Sequence, residues 1–576
     1  MLCENRVRAT MTRSFGLAAD GPFASVPAQN LDPNQRRILP ITFSPTQAGP
    51  VTGALNGVGA RCDGTAVSVA VAGQGVAEEA RPPCPADGQT LSLVAVADHD
   101  ADSNFRHAWT TPIVGRLRDT NDDGVVDGDD SVHIVVATFT DDQPGVSPDS
   151  LETLTSSVQG LLRAYTADLG IVWSNTSTFV SANVTPAIAD LDGDGTVEVI
   201  AAIVTPLGLP VPDEDGVARR GLFLSGTLVA FSGQDGSVLW ATQPWRLRSD
   251  TFADAGAIAV ADIDGDGTVE IAFGDNVFEH DGRLRFRGDG SVVGDAGRGP
   301  SCFFAELTIA PGLELQCGPR TYSSTGELLR DHDAVDGVAG VGDVVVGDDA
   351  DIVLRSAEGL SVWNVQSDVA IVSPFVLPRL AEHADSCVVG VAEDCEGAPG
   401  GVAVGPIDDI DGDDIALVNG QLLLVYGFWG PGLEERRRVV LGDSDGLGAP
   451  TLFDVDGDGR AEIVVTDSAG LVVVDEDGVR SSFPRENQSL LGAVSVADVN
   501  ADGRAELVWA TARPFGAVTS PASLLILTAD QGWAAASAVS NQRHHTAALF
   551  SALLQPVPTA LDAQKSRFVA GRCQAP

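Results

Sequence analysis

Short apolar runs alternate with turns rich in Asp, Gly and Asn along most of the chain. Ala257-Ile258-Ala259-Val260 leads into an acidic turn, and Glu462-Ile463-Val464-Val465 leads out of one. Brief apolar runs bounded by turn formers predict buried strands rather than helices. A second strand pair follows each of these, around an Asp-Gly or similar turn. Examples are LVAFSGQDGSVLW (228–240), NVFEHDGRLRF (276–286) and LVVVDEDGVRSSF (471–483). Asp-Gly between apolar runs is a strong hairpin signal. The order is strand, acidic loop, strand, strand, turn, strand: a meander.

The meander repeats. ADLDGDGTVEVIAA (189–202), ADIDGDGTVEIAFG (261–274), FDVDGDGRAEIVVT (453–466) and ADVNADGRAELVWA (497–510) align without gaps. Weaker copies lie at 113–138 with its hairpin at 161–173, and at 302–330, 338–365 and 402–426. One such sheet cannot bury both faces, so stacked copies must share a core, and closing them into a ring protects the edges. The expected fold class is therefore all-β, a β-propeller of four-stranded blades, eight by count and seven if a weak copy is merged. It spans 91–555, after a β module at 1–77 and a Pro-rich linker at 78–90, and before a tail at 556–576. In the first segment Ile38–Ser44 and Val67–Ala72 are strand-like.

The acidic loops point to a metal. Asp190, Asp192, Asp194 and Glu198 place side-chain oxygens at loop positions 1, 3, 5 and 9, with the Thr196 carbonyl at 7. Calcium takes six to eight oxygens, and this spacing wraps a chain around one ion. The pattern recurs as Asp262, Asp264, Asp266 and Glu270, as Asp454, Asp456, Asp458 and Glu462, and as Asp498, Asn500, Asp502 and Glu506. An EF-hand needs a carboxylate at position 12 between helices. That position is Ala201 or Phe273 here, inside apolar strands, which excludes it for these copies. In segment 119–130, Asp119, Asn121, Asp123 and Asp127 are candidate ligands, and Asp130 also permits a dockerin-like twelve-residue loop. Its strand-like flanks favour a blade loop. Asp409, Asp411 and Asp413 belong to a loop three residues short, with Asp414 where the Glu should stand. Five to six Ca2+ sites are expected, structural rather than catalytic.

These segments resemble the FG-GAP/VCBS repeat proteins, the group that includes the head of integrin α-subunits. The family motif, apolar strand then DxDxDGxxD/E then strand, matches 189–202, 261–274, 453–466 and 497–510; segment 302–330 lacks the acidic loop, and the FG-GAP dipeptides are mostly absent. The resemblance implies a propeller with calcium in hairpin loops on one face, acting in adhesion or ligand binding. A minority of the family are enzymes such as rhamnogalacturonan lyases. The stretch ITFSPTQAGPVTGALN with VSVAVAGQG resembles the last strands of an immunoglobulin-like (ASH/HYDIN-like) module of bacterial surface proteins.

Composition narrows the function further. The net charge of −45, from 80 acidic against 35 basic residues, disfavours nucleic acid and anionic membranes. The six acidic segments hold 26 of those 80 acids, so much of the charge is a set of candidate ligands. No apolar run is long enough for a membrane span, and no secretory signal follows Met1. The cysteines form no CxxC; the local pairs 62/84, 302/317 and 387/395 read as disulfides of an oxidising compartment. An extracellular or surface location follows, with the start of the chain a fragment or misassigned. GxSxG, HExxH, P-loop and GxGxxG motifs are absent. His544-His545 and the Asp98, His99, Asp100, Asp102 cluster read as solvated, and Trp109, Trp173, Trp240, Trp363 and Trp509 as blade packing. The expected function is a non-enzymatic binding or adhesion module with an unknown protein or glycan ligand. The alternative is a polysaccharide-active, lyase-like enzyme on the same scaffold.

Overall fold

The computed structural model describes four strands between residues 13 and 75 and most of residues 92–540, leaving out 141–158, 248–255, 379–400, 443–448, 513–523 and shorter stretches. The chain divides into two compact units, Met1–Pro83 with Gln574–Pro576, and Cys84–Cys573. In the first, Val26–Leu31, Arg13–Ala19, Gly49–Val58 and Val67–Gly75 form an antiparallel sheet in that order. The strand at Val67 was legible in the sequence; Ile38–Ser44 lies outside the described residues.

The second unit is an eight-bladed β-propeller, and no helix occurs among the described residues. Blades 1 to 7 follow the chain. Blade 1 is built on Ile113–Gly115, His133–Thr138, Gln159–Tyr165 and Ile171–Ser174. Blade 2 has Ala187–Ala189, Glu198–Pro206, Leu224–Ser232 and Val238–Ala241; blade 3 has Ala259–Ala261, Glu270–Phe273, Asn276–Phe278 and Leu284–Arg287. Blades 4, 5 and 6 begin at Phe303–Ala305, Gly337–Gly342 and Val402–Gly405. Blade 7 runs from Thr451–Phe453 to Gly478–Pro484. Blade 8 takes three strands from the C-terminal part, Ser495–Ala497, Glu506–Ala510 and Leu524–Ala529, and its fourth from Leu93–His99. That last pairing closes the ring. A second clasp lies at the inner strands, where Val114 and Ser540 exchange hydrogen bonds of 2.8 and 2.9 Å.

The apolar runs explain the ring. Inner faces of neighbouring blades share buried clusters: Ile113 and Val135 with Ile188 and Val199, Val260 and Phe273 with Phe304 and Leu315, and Val508 and Ile526 with Ile134. Such clusters occur at every blade interface round the circle. Buried on both faces, second and third strands need no polar alternation. Outside this core a stair of aromatics links successive outer hairpins. Trp173 packs on Gly236, Trp240 on Gly282 and Phe286 on Gly326, each glycine standing where a Cβ would lie within 3 Å of the ring. Trp173 Nε1 also donates to the Gly233 carbonyl at 2.8 Å. Trp173, Trp240, Trp363 and Trp509 lie on strands. Trp109 does not: it precedes blade 1 in a loop and packs against Phe139, with ring centroids 4.4 Å apart.

Candidate metal centre

Each acidic loop joins the inner strand of a blade to its second strand. In seven blades that second strand starts on a carboxylate: Glu198, Glu270, Glu314, Asp351, Asp414, Glu462 and Glu506. Each is paired with the last residue of the inner strand. One carboxylate oxygen reaches back and accepts a loop amide. The Oε2 atoms of Glu198, Glu270, Glu462 and Glu506 take the N–H of Leu191, Ile263, Val455 and Val499 at 3.0, 2.9, 2.7 and 3.0 Å. Glu314 does the same to Leu307 at 2.8 Å although its loop has no acidic motif, and Asp351 to Val345 at 2.8 Å. Asp414 accepts from Asp408 at 3.1 Å. In blade 1 His133 takes this place: its Nδ1 accepts from Leu117 at 3.5 Å, and burial holds the imidazole down to about 4, hence neutral. The latch is a property of the blade, present with or without the acidic loop.

In the four gapless copies the loop itself folds on its own carboxylates. The position-1 aspartates are buried and each accepts at least two amides: Asp190 from Asp194 and Gly195 at 3.1 and 3.0 Å, Asp454 from Asp458 and Gly459 at 3.1 and 2.9 Å, and Asp498 from Asp502 and Gly503 at 3.1 and 2.9 Å. Asp262 accepts from Gly265, Asp266 and Gly267 at 2.7, 3.2 and 2.9 Å. The position-6 residue is always glycine, with φ of 88° at Gly195, 93° at Gly267, 97° at Gly459 and 85° at Gly503. Nothing crowds a Cβ there, so backbone sign alone selects it. Position 4 is also left-handed at Gly193 and Gly265, at φ 73° and 77°, and holds Ala501 in blade 8, at φ 59°.

Three groups of acidic side chains bring ligand atoms within 4.8 Å of one another and can hold a metal ion: Asp190, Asp192 and Asp194; Asp262, Asp264 and Glu270; Asp454, Asp456 and Glu462. All the donors are oxygens, the set preferred by hard cations. Burial pushes Glu198 up to about 7 and Glu270, Glu462 and Glu506 to about 8. Burial likewise raises Asp262 and Asp498. A bound cation removes the cost that keeps these groups protonated, and its binding would release protons. Asp194 moves the other way, held down by hydrogen bonds from the Thr196 hydroxyl and amide at 2.6 and 2.8 Å. In blade 8 Asn500 turns its carbonyl to the Asp502 amide at 2.9 Å and its Nδ2 to Glu506 Oε1 at 3.1 Å.

The blade 1 loop departs from this plan. Asp119 accepts from Asp123 and Gly124 at 3.2 and 2.7 Å, and Asn121 accepts from Asp123 at 2.9 Å, as positions 1 and 3 do elsewhere. Asp127 accepts from Asp129 at 2.9 Å and gives its amide to Asp130 at 2.8 Å. Asp130, buried, gathers Thr120 and Asn121. The strands Ile113–Gly115 and His133–Thr138 flank the loop, so it is a blade loop and lacks the helices of a dockerin. Asp413 is tied to the neighbouring blade: its amide donates to the Asp343 carbonyl at 2.7 Å and its Oδ2 accepts from Asp343 at 2.9 Å. Asp409 and Asp411 lie outside the described residues, as do His544, His545, Asp100 and Asp102.

Sequence reasoning missed three arginines. Arg285, Arg436 and Arg480 each occupy the extra residue of a bulge in an outer strand, and each faces the acidic loop of its own blade. An arginine just beyond a hairpin turn was the available signal. Cys302 and Cys317 are disulfide-bonded, as their spacing suggested; the remaining cysteines lie outside the described residues.

No protein-family model matches the chain. The curated rhamnogalacturonan endolyase YesW of Bacillus subtilis (strain 168) is 33% identical over 104 residues, which is 17% of this chain and 16% of that protein. The chain thus matches about a sixth of the length of that relative. Among solved structures, the V. cholerae biofilm matrix protein Bap1 is similar with a TM-score of 0.61 at 15% identity, covering 84% of this chain and 100% of that one. That likeness is one of fold. The rhamnogalacturonan lyase YesW structure aligns with a TM-score of 0.44 at 15% identity over 90% of this chain and 85% of its own.

Proposed function

We propose that the chain is a calcium-stabilised, non-enzymatic β-propeller of the FG-GAP/VCBS type, acting outside the cell or at its surface as a binding or adhesion module. The observation that carries it is the repeated loop in which three carboxylates draw together, from positions 1, 3 and 5 in blade 2 and from positions 1, 3 and 9 in blades 3 and 7. Oxygen-only donors at that spacing suit calcium. The proposed ligands are the residues at 119–127, 190–198, 262–270, 409–413, 454–462 and 498–506 named above. The Cys302–Cys317 disulfide supports an oxidising compartment. The similarity in fold to a biofilm matrix protein is consistent with a surface or matrix role. The 1–77 segment is read as part of an immunoglobulin-like module, joined by a linker at 78–90. The ligand is a protein or a glycan.

Calorimetric melting with excess calcium and with EDTA tests the metal. A melting temperature that rises with calcium supports the proposal, and an unchanged one refutes it. The local identity to a rhamnogalacturonan endolyase supports a second reading, a polysaccharide lyase. Incubation with rhamnogalacturonan and detection of unsaturated products decides between them. Cleavage establishes the lyase reading, and binding without cleavage establishes the module.

A further inference from the structure

Blades 2 and 3 contain an internal control. Their nine-residue loops, Asp190–Glu198 and Asp262–Glu270, differ only at Leu191 and Ile263. Their surroundings differ in charge. The bulge residue of the outer strand is Leu239 in blade 2 and Arg285 in blade 3. Arg285 Nη2 lies 2.6 Å from Asp264 Oδ2, and its Nη1 lies 3.3 Å from Glu270 Oε1. Blade 7 repeats blade 3. Arg480 fills the same bulge, with Nη1 2.8 Å from Asp456 Oδ2 and 3.2 Å from Glu462 Oε1. Both guanidinium groups therefore grip the carboxylates at loop positions 3 and 9.

A third acid accompanies each arginine. Glu279 lies 3.4 Å from Arg285 and Asp475 lies 3.9 Å from Arg480, each one residue after the third-strand residue paired on the turn side of the bulge, Phe278 or Val474. Blade 2 has Ser232 at that register. Arginine and its extra acid thus occur together or not at all in these three blades. Blade 7 is the more enclosed: the side chains of Arg480, Asp456 and Glu462 are 4%, 4% and 6% exposed. Oxygens committed to a buried guanidinium must be released before a metal can take them, and the displaced cation must then be rehydrated or re-paired. Blade 6 has Arg436 in the same bulge, but at 3.8 Å from Asp408.

We propose that Arg285 and Arg480 are built-in counter-ions that compete with calcium for the position-3 and position-9 carboxylates, so that the blade 2 loop fills at lower calcium than the loops of blades 3 and 7. The proposal rests on the calcium reading above and adds an order of filling to it. It divides nearly identical loops into two kinds by a residue that lies outside the motif.

The test uses the full chain, titrated calorimetrically with calcium alone. Arg285→Leu and Arg480→Leu copy the blade 2 residue; each is expected to tighten one site at least tenfold. The reverse graft, Leu239→Arg with Ser232→Glu, is expected to weaken one site at least tenfold and keeps the test alive if the leucine variants fail to fold. Hydrogen exchange at the 190–198, 262–270 and 454–462 loops assigns each change to its blade. Unchanged affinities in all variants of a protein that does bind calcium overturn the arginine proposal and leave the calcium reading standing. A wild type that binds no calcium overturns the calcium reading. It overturns the order of filling with it, because the blade 2 loop has Leu239 at the bulge and no competing arginine there.

Discussion

Glu314 isolates the latch from the metal, because its loop carries no acidic motif. Its side chain is fully buried; Oε2 accepts from the Leu307 and Thr308 amides at 2.8 and 3.2 Å, and Oε1 accepts from the Thr308 hydroxyl at 2.5 Å. Glu314→Ala leaves two backbone donors and a hydroxyl without an acceptor. At about 1–3 kcal/mol per buried unsatisfied group, with some relief from entering water, the two amides together lose about 3 kcal/mol of protection. At ~1.4 kcal/mol per tenfold, local opening becomes roughly 100-fold more frequent. Glu314→Gln keeps a carbonyl acceptor for the amides and offers an N–H to Thr308, so it should stay within about tenfold of wild type. Hydrogen exchange followed on the peptide spanning 305–316 reads this directly, and avoids assuming that a chain of this size unfolds in one step. The same result is expected in calcium and in EDTA. An alanine variant as well protected as the glutamine variant, or a loss that calcium repairs, would refute the latch.

Three further outcomes follow from the same geometry. Gly236→Ala should cost about 2–4 kcal/mol in chemical unfolding, since φ is 71° and a Cβ would meet Trp173 at 2.5 Å; Gly195→Ala, with φ 88° and open space, should cost only about 1–2 kcal/mol in calcium-free buffer. Burial pushes Asp351 up to about 6, so its contribution is fully present below its ordinary value of 3.8 and is lost as pH rises through 6. Asp351→Asn should therefore flatten the stability curve between those values by at most about 3 kcal/mol, read as the difference between variant and wild type in EDTA; parallel curves would contradict the assignment. Replacing Cys302 and Cys317 together by alanine opens a loop of sequence separation 15, and the midpoint of urea unfolding should fall by the equivalent of about 3 kcal/mol.

The fold was legible because its repeat unit carries two independent signals, the acidic loop and the apolar runs around it. Their coincidence marked the four gapless copies; at 302–330 the acidic loop is missing and the apolar runs alone marked the sheet, which is why the count of eight kept seven as its alternative. What stayed hidden depends on register rather than on composition. The latch of Glu314 looks like any strand-edge acid until Ala305 is seen opposite it. His133 looks like a strand residue until it falls at the position that glutamate holds elsewhere. The bulge arginines showed only as arginines just beyond a hairpin turn: a bulge turns a side chain by one position, and only pairing reveals which residue is turned. Trp109 was read as blade packing with the strand tryptophans, whereas it packs on Phe139 from the loop before blade 1. Asp130 was weighed as a ligand of a longer loop, whereas here it fastens the turn at Thr120 and Asn121.

Ring closure sets a schedule for synthesis. Leu93–His99 leaves the ribosome before any blade exists, yet its partner Leu524–Ala529 is made roughly 400 residues later, some 20–80 s at ordinary elongation rates. For that interval the first strand has an unsatisfied edge, open to pairing with another nascent chain. The nearly finished ring is likewise one strand short until the earliest-made piece docks. Trimming the chain past His99 would therefore not shorten the propeller by a unit. It would leave a gap in its final blade while every other blade stood complete.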